Sequence, residues 1–292
     1  MMQQERSSDQ PRDLSVSTYY DETTEQFVKV SGDLRMVHYG LWGSETKTEE
    51  ESLLRSIHAL AEGLELGPGK RILDSGCGLG GGAVVMAREY GVRVTGLTIS
   101  RQQVVAATEF AKQKGVAGMV DFRQGDFMDM PFPDESFDAV TNHESFCYAT
   151  DKLSYLDGVH RVLRPGGRLA MMEGALTGAA MSETQEAIHV GMQKGWHMPA
   201  LESFDSILAT MEKAGFENIR TRDLKSEVMP SAESLSRRWR LLVLLTPPPK
   251  LKEIPVHKFL QAAVDFDLGL KQGFAAYYRL QGTKPDTGAP SE

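Results

Sequence analysis

The 292-residue sequence has few cysteines, no long apolar run and no excess of basic residues. Only Cys77 and Cys147 occur, without paired spacing or a histidine cluster, which excludes a disulfide scaffold and a zinc site. A membrane-spanning helix needs about 18 consecutive apolar residues, and the sequence has no such run. Phosphate binding needs a concentrated basic patch, so a net charge of −8 argues against a nucleic-acid partner. We therefore expect an acidic protein without a metal site or a membrane span.

Composition and the two ends of the chain predict an ordinary globular protein. Hydrophobic residues make up 41% of the sequence and charged residues 25%, as in soluble domains. The first residues, MMQQERSSDQPRD, lack the apolar core of a secretory signal, so we expect a cytoplasmic location. Residues 1–15 and 284–292 are predicted to be disordered tails. The length allows one large domain with a helical cap.

Residues 71–82, RILDSGCGLGGG, are the most informative stretch. A short apolar strand ends at Asp74, and Gly76, Gly78 and Gly80 then alternate before an apolar helix face. A strand, a glycine turn and a helix N-terminus present backbone N–H groups to a ligand with no Cβ in the way. Pyrophosphate-binding loops have a wider glycine spacing, and Asp74 would repel a phosphate but attract an ammonium group. The pattern therefore favours a ligand that carries an amine.

Strand and helix patterns alternate from residue 71 onward, which predicts a parallel α/β sheet. Strands are predicted at 71–74, 92–98, 119–124, 139–142, 169–173, 216–223 and 273–282, and helices at 46–64, 102–114, 153–163 and 203–214. The predicted organisation has a helical N-terminal lid at 16–64 and a core at 65–175, 203–229 and 273–283. Helical insertions at 176–202 and 230–272 would form a cap, the second broken by prolines at 247–249.

Four further motifs, together with the glycine loop, resemble class I S-adenosylmethionine (SAM) methyltransferases. They are HYGLW at 38–42, GLTISRQQ at 96–103, PFPDESFD at 131–138 and LRPGG at 163–167. The similarity is to sterol 24-C-, γ-tocopherol and other small-molecule methyltransferases, and it covers residues 19–223. It implies a Rossmann-like fold with a seven-stranded, mostly parallel sheet and SAM as cofactor.

The resemblance also implies a set of cofactor contacts. The glycine loop would hold the methionine end of SAM, and Asp126 and Phe127 would contact the adenine. Where many SAM enzymes hold the ribose with an acid, this sequence has Thr98, whose hydroxyl can act together with the Gln103 amide. Ser100 can instead be a helix N-cap, and Asp126 a capping residue. The predicted cofactor-binding residues are Asp74, Gly76, Cys77, Gly78, Gly80, Thr98, Ser100, Gln103, Asp126, Phe127 and Asn142.

Acids and a histidine follow the fourth and fifth predicted strands, whose carboxyl ends face the ligand crevice of such a sheet. His143 and Glu144 follow the fourth strand and Glu173 ends the fifth, so we predict these three as catalytic residues. The segment 144–148 resembles the corresponding run of sterol and tocopherol methyltransferases, except that Tyr148 replaces a histidine. A capping or surface role is the alternative for Glu144.

Aromatic residues and histidines outside these motifs are predicted to contact the substrate, with plain packing as the alternative. Aromatic faces stabilise cations such as SAM, and Trp196 follows a glycine in a predicted loop. The apolar run 239–245 is predicted to form the far wall of the pocket. The predicted substrate-binding residues are Tyr19, Tyr20, His38, Trp42, Tyr148, Trp196 and His197.

Three functions are compatible with these residues. Glu144 and Glu173 near an apolar pocket favour C-methylation of an isoprenoid or aromatic carbon in secondary metabolism, because an alkene that gains a methyl group must later lose a proton. N- or O-methylation of an alkaloid, polyketide or glycosylated product is the alternative, with His38, His143 or His197 as the base. The third is a SAM-fold cyclase or binding protein without methyl transfer. The expected partner is a small molecule, and a homo-oligomer is compatible with the sequence.

Overall fold

A computed structural model describes residues 14–246 and 256–286 of the chain. Its strands are β1 (Arg71–Ser75), β2 (Arg93–Thr98), β3 (Val120–Gln124), β4 (Phe137–His143), β5 (Leu163–Leu176), β6 (Glu217–Asp223) and β7 (Ala275–Thr283). These strands form one sheet in the order β3-β2-β1-β4-β5-β7-β6. The pairings among β1 to β5 are parallel, and β7 runs antiparallel to both β5 and β6. The predicted Rossmann-like, mostly parallel sheet is confirmed.

Helices cover both faces of this sheet. Within the described ranges they are α1 (Leu14–Val30), α2 (Glu49–Ala61), α3 (Gly81–Tyr90), α4 (Arg101–Gln113), α5 (Lys152–Val162), α6 (Glu183–Trp196), α7 (Phe204–Lys213), α8 (Lys225–Leu245) and α9 (His257–Gln272). Consecutive strand residues point to opposite faces, and both Ile72 and Leu73 are fully buried, each in a different apolar cluster. The sheet therefore separates two core layers, as the continuous apolar strands of a parallel sheet require.

The N-terminal segment lies over the carboxyl edge of the sheet. The Ser100 hydroxyl donates to Asp21 Oδ1 of α1 at 2.5 Å, and the Tyr39 N–H donates to Glu144 Oε1 after β4 at 2.9 Å. These bonds hold the segment where the lid was predicted. α1 begins at Leu14, so the predicted tail 1–15 extends slightly too far.

Trp196 is the last residue of α6, so the predicted loop around it is wrong. Gly191 and Gly195 suggested a loop, but in the structure they let α6 approach α9 closely. A Cβ on Gly195 would lie 2.5 Å from the Lys258 carbonyl oxygen, and one on Gly191 would lie 2.4 Å from the Asp265 carboxylate. Both glycines are needed for helix packing, because only a residue without a Cβ lets the backbone of α6 come this close to α9.

The prediction that residues 239–245 form the far wall of the pocket is also wrong. Trp239 is buried, whereas residues 241–245 are exposed, with Leu244 at 81%. An uninterrupted apolar run covers every face of a helix, so only part of it can point inward. α8 continues through Pro230, where the second insertion was predicted to begin.

Several predictions about the ends and breaks of the chain lie outside the described residues. These are the prolines at 247–249 and the tails at 1–13 and 287–292. Lys284 is described, and its N–H donates to the Gly167 carbonyl at 2.8 Å. The predicted C-terminal tail therefore begins too early.

Candidate active site

A cavity of about 780 Å³ opens at the carboxyl edge of the parallel strands, where open α/β sheets bind ligands. Its volume is within the range of small-molecule sites, about 300–1,000 Å³. Of the predicted site residues, its wall contains Tyr20, His38, Asp74, Gly76, Cys77, Gly78, Thr98, Gln103, Asp126, Phe127, His143, Glu144, Tyr148, Glu173 and Trp196. Six others lie outside the wall: Tyr19, Trp42, Gly80, Ser100, Asn142 and His197.

The glycine loop contributes open space to this cavity. A Cβ on Gly76 would lie 2.3 Å from the Ser145 hydroxyl oxygen, whereas one on Gly78 would meet nothing within 4 Å. Both glycines have positive φ angles, 89° and 52°, which L side chains rarely adopt. The N–H groups of Gly76 and Cys77 both donate to the Leu97 carbonyl. These two donors stabilise the turn, and do not face a ligand as the sequence pattern suggested.

Asp74 is a buried carboxyl group with one long hydrogen bond. Asp74 is only 6% exposed to solvent, and the Thr141 hydroxyl donates to its Oδ1 at 3.4 Å. Burial raises the pKa of Asp74 to about 7. A cation beside such a carboxylate stabilises its charged form. The site therefore fits the ammonium group of SAM.

The residues after β2 were predicted either to bind the cofactor or to cap a helix, and the structure distinguishes these roles. The Thr98 hydroxyl donates to Gln103 Oε1 at 2.6 Å, and both side chains lie in the cavity wall. Ser100 accepts the Gln103 N–H at 3.1 Å and is the N-cap of α4. Ser100 thus has the capping role, while the contact of Thr98 and Gln103 with the ribose stays a prediction.

The residues predicted to bind the cofactor after β3 lie in the cavity wall, whereas the one predicted at the end of β4 does not. Asp126 and Phe127 lie in the wall, and Asp126 Oδ1 also accepts the Met128 N–H at 2.8 Å. Asn142 is fully buried outside the wall, where it donates to the Tyr155 hydroxyl at 2.9 Å and accepts the Phe146 N–H at 2.8 Å. Its side chain therefore stabilises the end of β4.

Glu144 connects three parts of the molecule. Its Oε1 accepts the Tyr39 N–H at 2.9 Å and the Tyr277 hydroxyl at 2.7 Å, while its own N–H donates to the Met172 carbonyl. Its φ of 52° is rare outside glycine, and such strained residues concentrate at functional sites. Burial raises the pKa of Glu144 to about 8.

Glu173, at the cavity side of β5, is hydrogen-bonded at both oxygens. Oε2 accepts the Cys147 N–H at 3.1 Å, and Oε1 accepts the Gly174 N–H at 3.2 Å. Burial raises the pKa of Glu173 to about 7, although the bond from Cys147 opposes this shift.

His38 and His143 stack with ring centroids 3.7 Å apart. His38 Nδ1 lies 3.1 Å from the Tyr39 carbonyl oxygen, a contact that requires a proton on Nδ1 and so assigns the lone pair to Nε2. That Nε2 and both nitrogens of His143 are buried without a hydrogen-bond partner among the described residues. Burial lowers the pKa of His38 to about 4 and that of His143 well below its usual value. Both rings are therefore neutral at pH 7.

Aromatic residues of the lid meet the core around this pair. The hydroxyls of Tyr20 and Tyr148 are 2.8 Å apart, and both side chains line the cavity. Tyr19 packs against His197, with centroids 4.7 Å apart. His197 is the C-cap of α6 and lines a separate depression, so the structure does not bring it to the other two histidines.

Sequence reasoning missed part of the wall. Tyr39 and Tyr277, which hold Glu144, were not predicted, and neither were the wall residues Ser231, Ser234, Leu235 and Arg238 of α8 or Phe259 and Phe266 of α9. Tyr39 lies within the HYGLW motif, which was the available signal for it, whereas no motif surrounds the others. Antiparallel pairing brings β7 beside β5, with Glu173 opposite Tyr278, and so places Tyr277 at the site.

Two predicted absences can be examined in residues 14–246 and 256–286. Within these ranges no group of three or more histidine, cysteine, aspartate or glutamate residues could hold a metal ion. None of the helices within them has the length and apolar character needed to cross a membrane.

The ligand-free protein should lose stability as the pH rises from about 7 to about 9. Asp74, Glu144 and Glu173 have raised pKa values, whereas in the unfolded chain they ionise near pH 4. The folded state therefore binds more protons than the unfolded state in this window, so the free energy of unfolding falls with pH. The buried histidines titrate below it. We expect a loss of about 2 kcal/mol, measured by urea unfolding at the two pH values.

Glu144→Gln tests the source of this loss, because glutamine keeps the acceptor for Tyr277 but cannot ionise. The pH-dependent loss should become smaller in this variant, since Glu144 has the highest of the three carboxyl pKa values. Asp121→Asn, at an exposed position of β3, is the control. An unchanged loss in Glu144→Gln would contradict the assignment.

Comparison with known proteins identifies the family. Residues 73–171 match the profile of a methyltransferase domain. The 27-O-demethylrifamycin SV methyltransferase of Amycolatopsis mediterranei is 33% identical over 255 residues, which span 86% of this chain and 90% of that protein. Cycloartenol-C-24-methyltransferase 1 of Oryza sativa subsp. japonica is 34% identical over 215 residues, 73% of this chain and 61% of that protein.

A solved structure shares the fold over nearly the full length. This structure is the crystal structure of the 4+2 cyclase SpnF, whose sequence is 26% identical and whose TM-score with this chain is 0.78. The match covers 92% of this chain and 96% of that one. The fold thus also occurs in a cyclase, whereas the sequence relatives above are named methyltransferases. Their identity and coverage, together with the motifs and the cavity, show that the chain belongs to the family of SAM-dependent methyltransferases.

Proposed function

We propose that this methyltransferase transfers the methyl group of SAM to a hydroxyl oxygen of a small, largely apolar natural product. The observation that carries the proposal is the stacked pair of His38 and His143, two residues of the cavity wall in which three buried ring nitrogens have no partner among the described residues. O-methylation needs a base for the hydroxyl proton, and a neutral imidazole has the required lone pair. The similarity to an enzyme named as acting on 27-O-demethylrifamycin SV supports an oxygen acceptor.

SAM supplies a methyl group that is already activated on a sulfonium. The chain must therefore orient the hydroxyl and exclude water. His38 Nε2 accepts the hydroxyl proton, while Nδ1 keeps its bond to the Tyr39 carbonyl and holds the ring in place. Tyr20 and Tyr148, whose hydroxyls are 2.8 Å apart, are further residues of the same cavity wall.

C-methylation of an isoprenoid or aromatic carbon is the second candidate. The acids Glu144 and Glu173 in an apolar cavity support it, as does the similarity to a cycloartenol-C-24-methyltransferase. Both carboxyl groups, however, already accept two hydrogen bonds each. These bonds hold the carboxyl groups toward Tyr277 and backbone N–H groups, whereas His38 Nε2 has no partner among the described residues. The geometry therefore favours O-methylation over the C-methylation that the sequence pattern favoured.

Incubation with SAM carrying a carbon-13 methyl group and a pool of secondary metabolites tests the proposal. We expect one product to gain a single methyl group whose carbon shift is that of a methoxy group. A labelled methyl on carbon would favour the second candidate. Failure to consume SAM with any pool would favour the cyclase or binding protein considered from the sequence.

The proposed reaction needs no metal, because a neutral histidine is the base. A chelator should therefore leave the transfer rate unchanged, and a reversible loss on chelation would contradict this part of the proposal. The cytoplasmic location and the homo-oligomer stay predictions.

A further inference from the structure

α8 presents a polar stripe to an otherwise apolar side of the cavity. Ser231, Ser234, Leu235 and Arg238 all lie in the wall, at the three- and four-residue spacing of one helix face. The Ser231 hydroxyl is already used, since it accepts the Gly40 N–H at 3.1 Å and donates to Glu49 at 2.9 Å. The stripe therefore begins at the lid and runs outward along α8.

Arg238 differs from the other charged residues of the wall. No hydrogen bond or ion pair joins it to any residue of the described ranges. The second arginine of the wall, Arg35, donates to the Val28 carbonyl. The buried acids of the wall each accept at least one hydrogen bond; they are Asp74, Glu144 and Glu173. Arg238 thus places a positive charge at the cavity, and its guanidinium N–H groups have no partner among the described residues.

α8 separates Arg238 from the end of the stripe that lies near the histidine pair. Ser231 and Arg238 are seven residues apart in α8, a rise of about 10 Å. Ser231 is bonded to Gly40, which is close in sequence to His38. Leu235 lies between the two ends of the stripe. The cavity therefore has a proton acceptor at one end, an apolar middle and a cation toward the other end.

We propose that Arg238 binds a carboxylate of the substrate, at the opposite end of the α8 stripe from the hydroxyl that receives the methyl group. Ser234, one turn earlier on the same face, has no side-chain hydrogen-bond partner among the described residues and can donate to the same group. An arginine holds a carboxylate with two parallel N–H donors, which gives orientation as well as affinity. The substrate is thus an acid with an apolar body. This inference rests on the proposed O-methylation for its hydroxyl end only.

A matched pair of probes tests the inference by binding alone. The probes are para-hydroxybiphenyl and its para′-carboxylic acid, whose two rings separate hydroxyl and carboxylate by a length close to the rise of about 10 Å along α8. Calorimetry with S-adenosylhomocysteine present measures both affinities. Because Arg238 is exposed to solvent, its attraction is screened, and we expect about a tenfold preference for the acid. The preference should shrink at high salt.

Arg238→Gln should abolish the preference and leave the affinity for the neutral probe unchanged. Arg237→Gln and Arg240→Gln are the controls, because both arginines are exposed on the same helix but absent from the wall. Equal binding of the two probes to the wild type, binding of neither, or an equal effect of a control variant would each overturn the inference. Failure of the proposed function is distinguishable: the acid would bind with the predicted preference but acquire no methyl group on its hydroxyl.

Discussion

Replacing His38 by glutamine should lower kcat for methyl transfer by about 100- to 10,000-fold, the range for loss of a general base, because it removes the imidazole lone pair at Nε2. His143→Ala should also lower kcat, because it removes the ring that stacks on His38 with a centroid distance of 3.7 Å. S-adenosylhomocysteine should bind both variants as it binds the wild type, since neither ring belongs to the predicted cofactor contacts. Single-turnover transfer from labelled SAM measures the rate, and calorimetry measures the binding.

His58→Gln is the matched control, because His58 is bonded to Glu89 at 2.6 Å away from the cavity. Glu173→Gln distinguishes the two proposed reactions. It should keep most of the activity if the acceptor is oxygen. Loss of turnover in Glu173→Gln with intact cofactor binding, together with an active His38→Gln, would show that the histidine pair is not the base and would favour a carbon acceptor.

Asp74→Asn should weaken S-adenosylhomocysteine binding by about 100-fold, since a hydrogen bond to a charged group contributes about 3 kcal/mol. The wild-type affinity should also rise about tenfold from pH 6 to pH 8. The reason is that Asp74, whose pKa burial raises to about 7, must ionise to hold an ammonium group. The asparagine variant should lose this rise. Calorimetric titrations at three pH values measure both effects.

Asp121→Asn, exposed on β3, controls for the general effect of removing one negative charge. Glu173→Gln controls for the other cavity acid whose pKa is near 7, and it should keep the pH dependence. A full rise with pH in Asp74→Asn would show that another group holds the amine. Binding of a nicotinamide or flavin nucleotide in place of S-adenosylhomocysteine would contradict the assignment of the whole loop.

The prediction of the fold succeeded where a local pattern decides the structure. The strand before Asp74, the alternating glycines and the N-cap at Ser100 depend on residues within a few positions of one another. The prediction failed where a pattern has two local interpretations. Gly195 beside Trp196 suggested a loop, but close packing against Lys258 uses the same missing Cβ.

The sequence by itself determined the sheet, the glycine loop and most of the residues at its edge, because periodicity and turn chemistry are local and parallel strands end at one edge. Only the tertiary structure decided which of those residues act together. The stacking of His38 on His143, the bonds of Glu144 to Tyr39 and Tyr277, and the inward face of α8 join segments distant in the chain. Such contacts depend on how the lid, β7 and the cap pack, since burial removes water and leaves each polar atom with only the partners that packing provides.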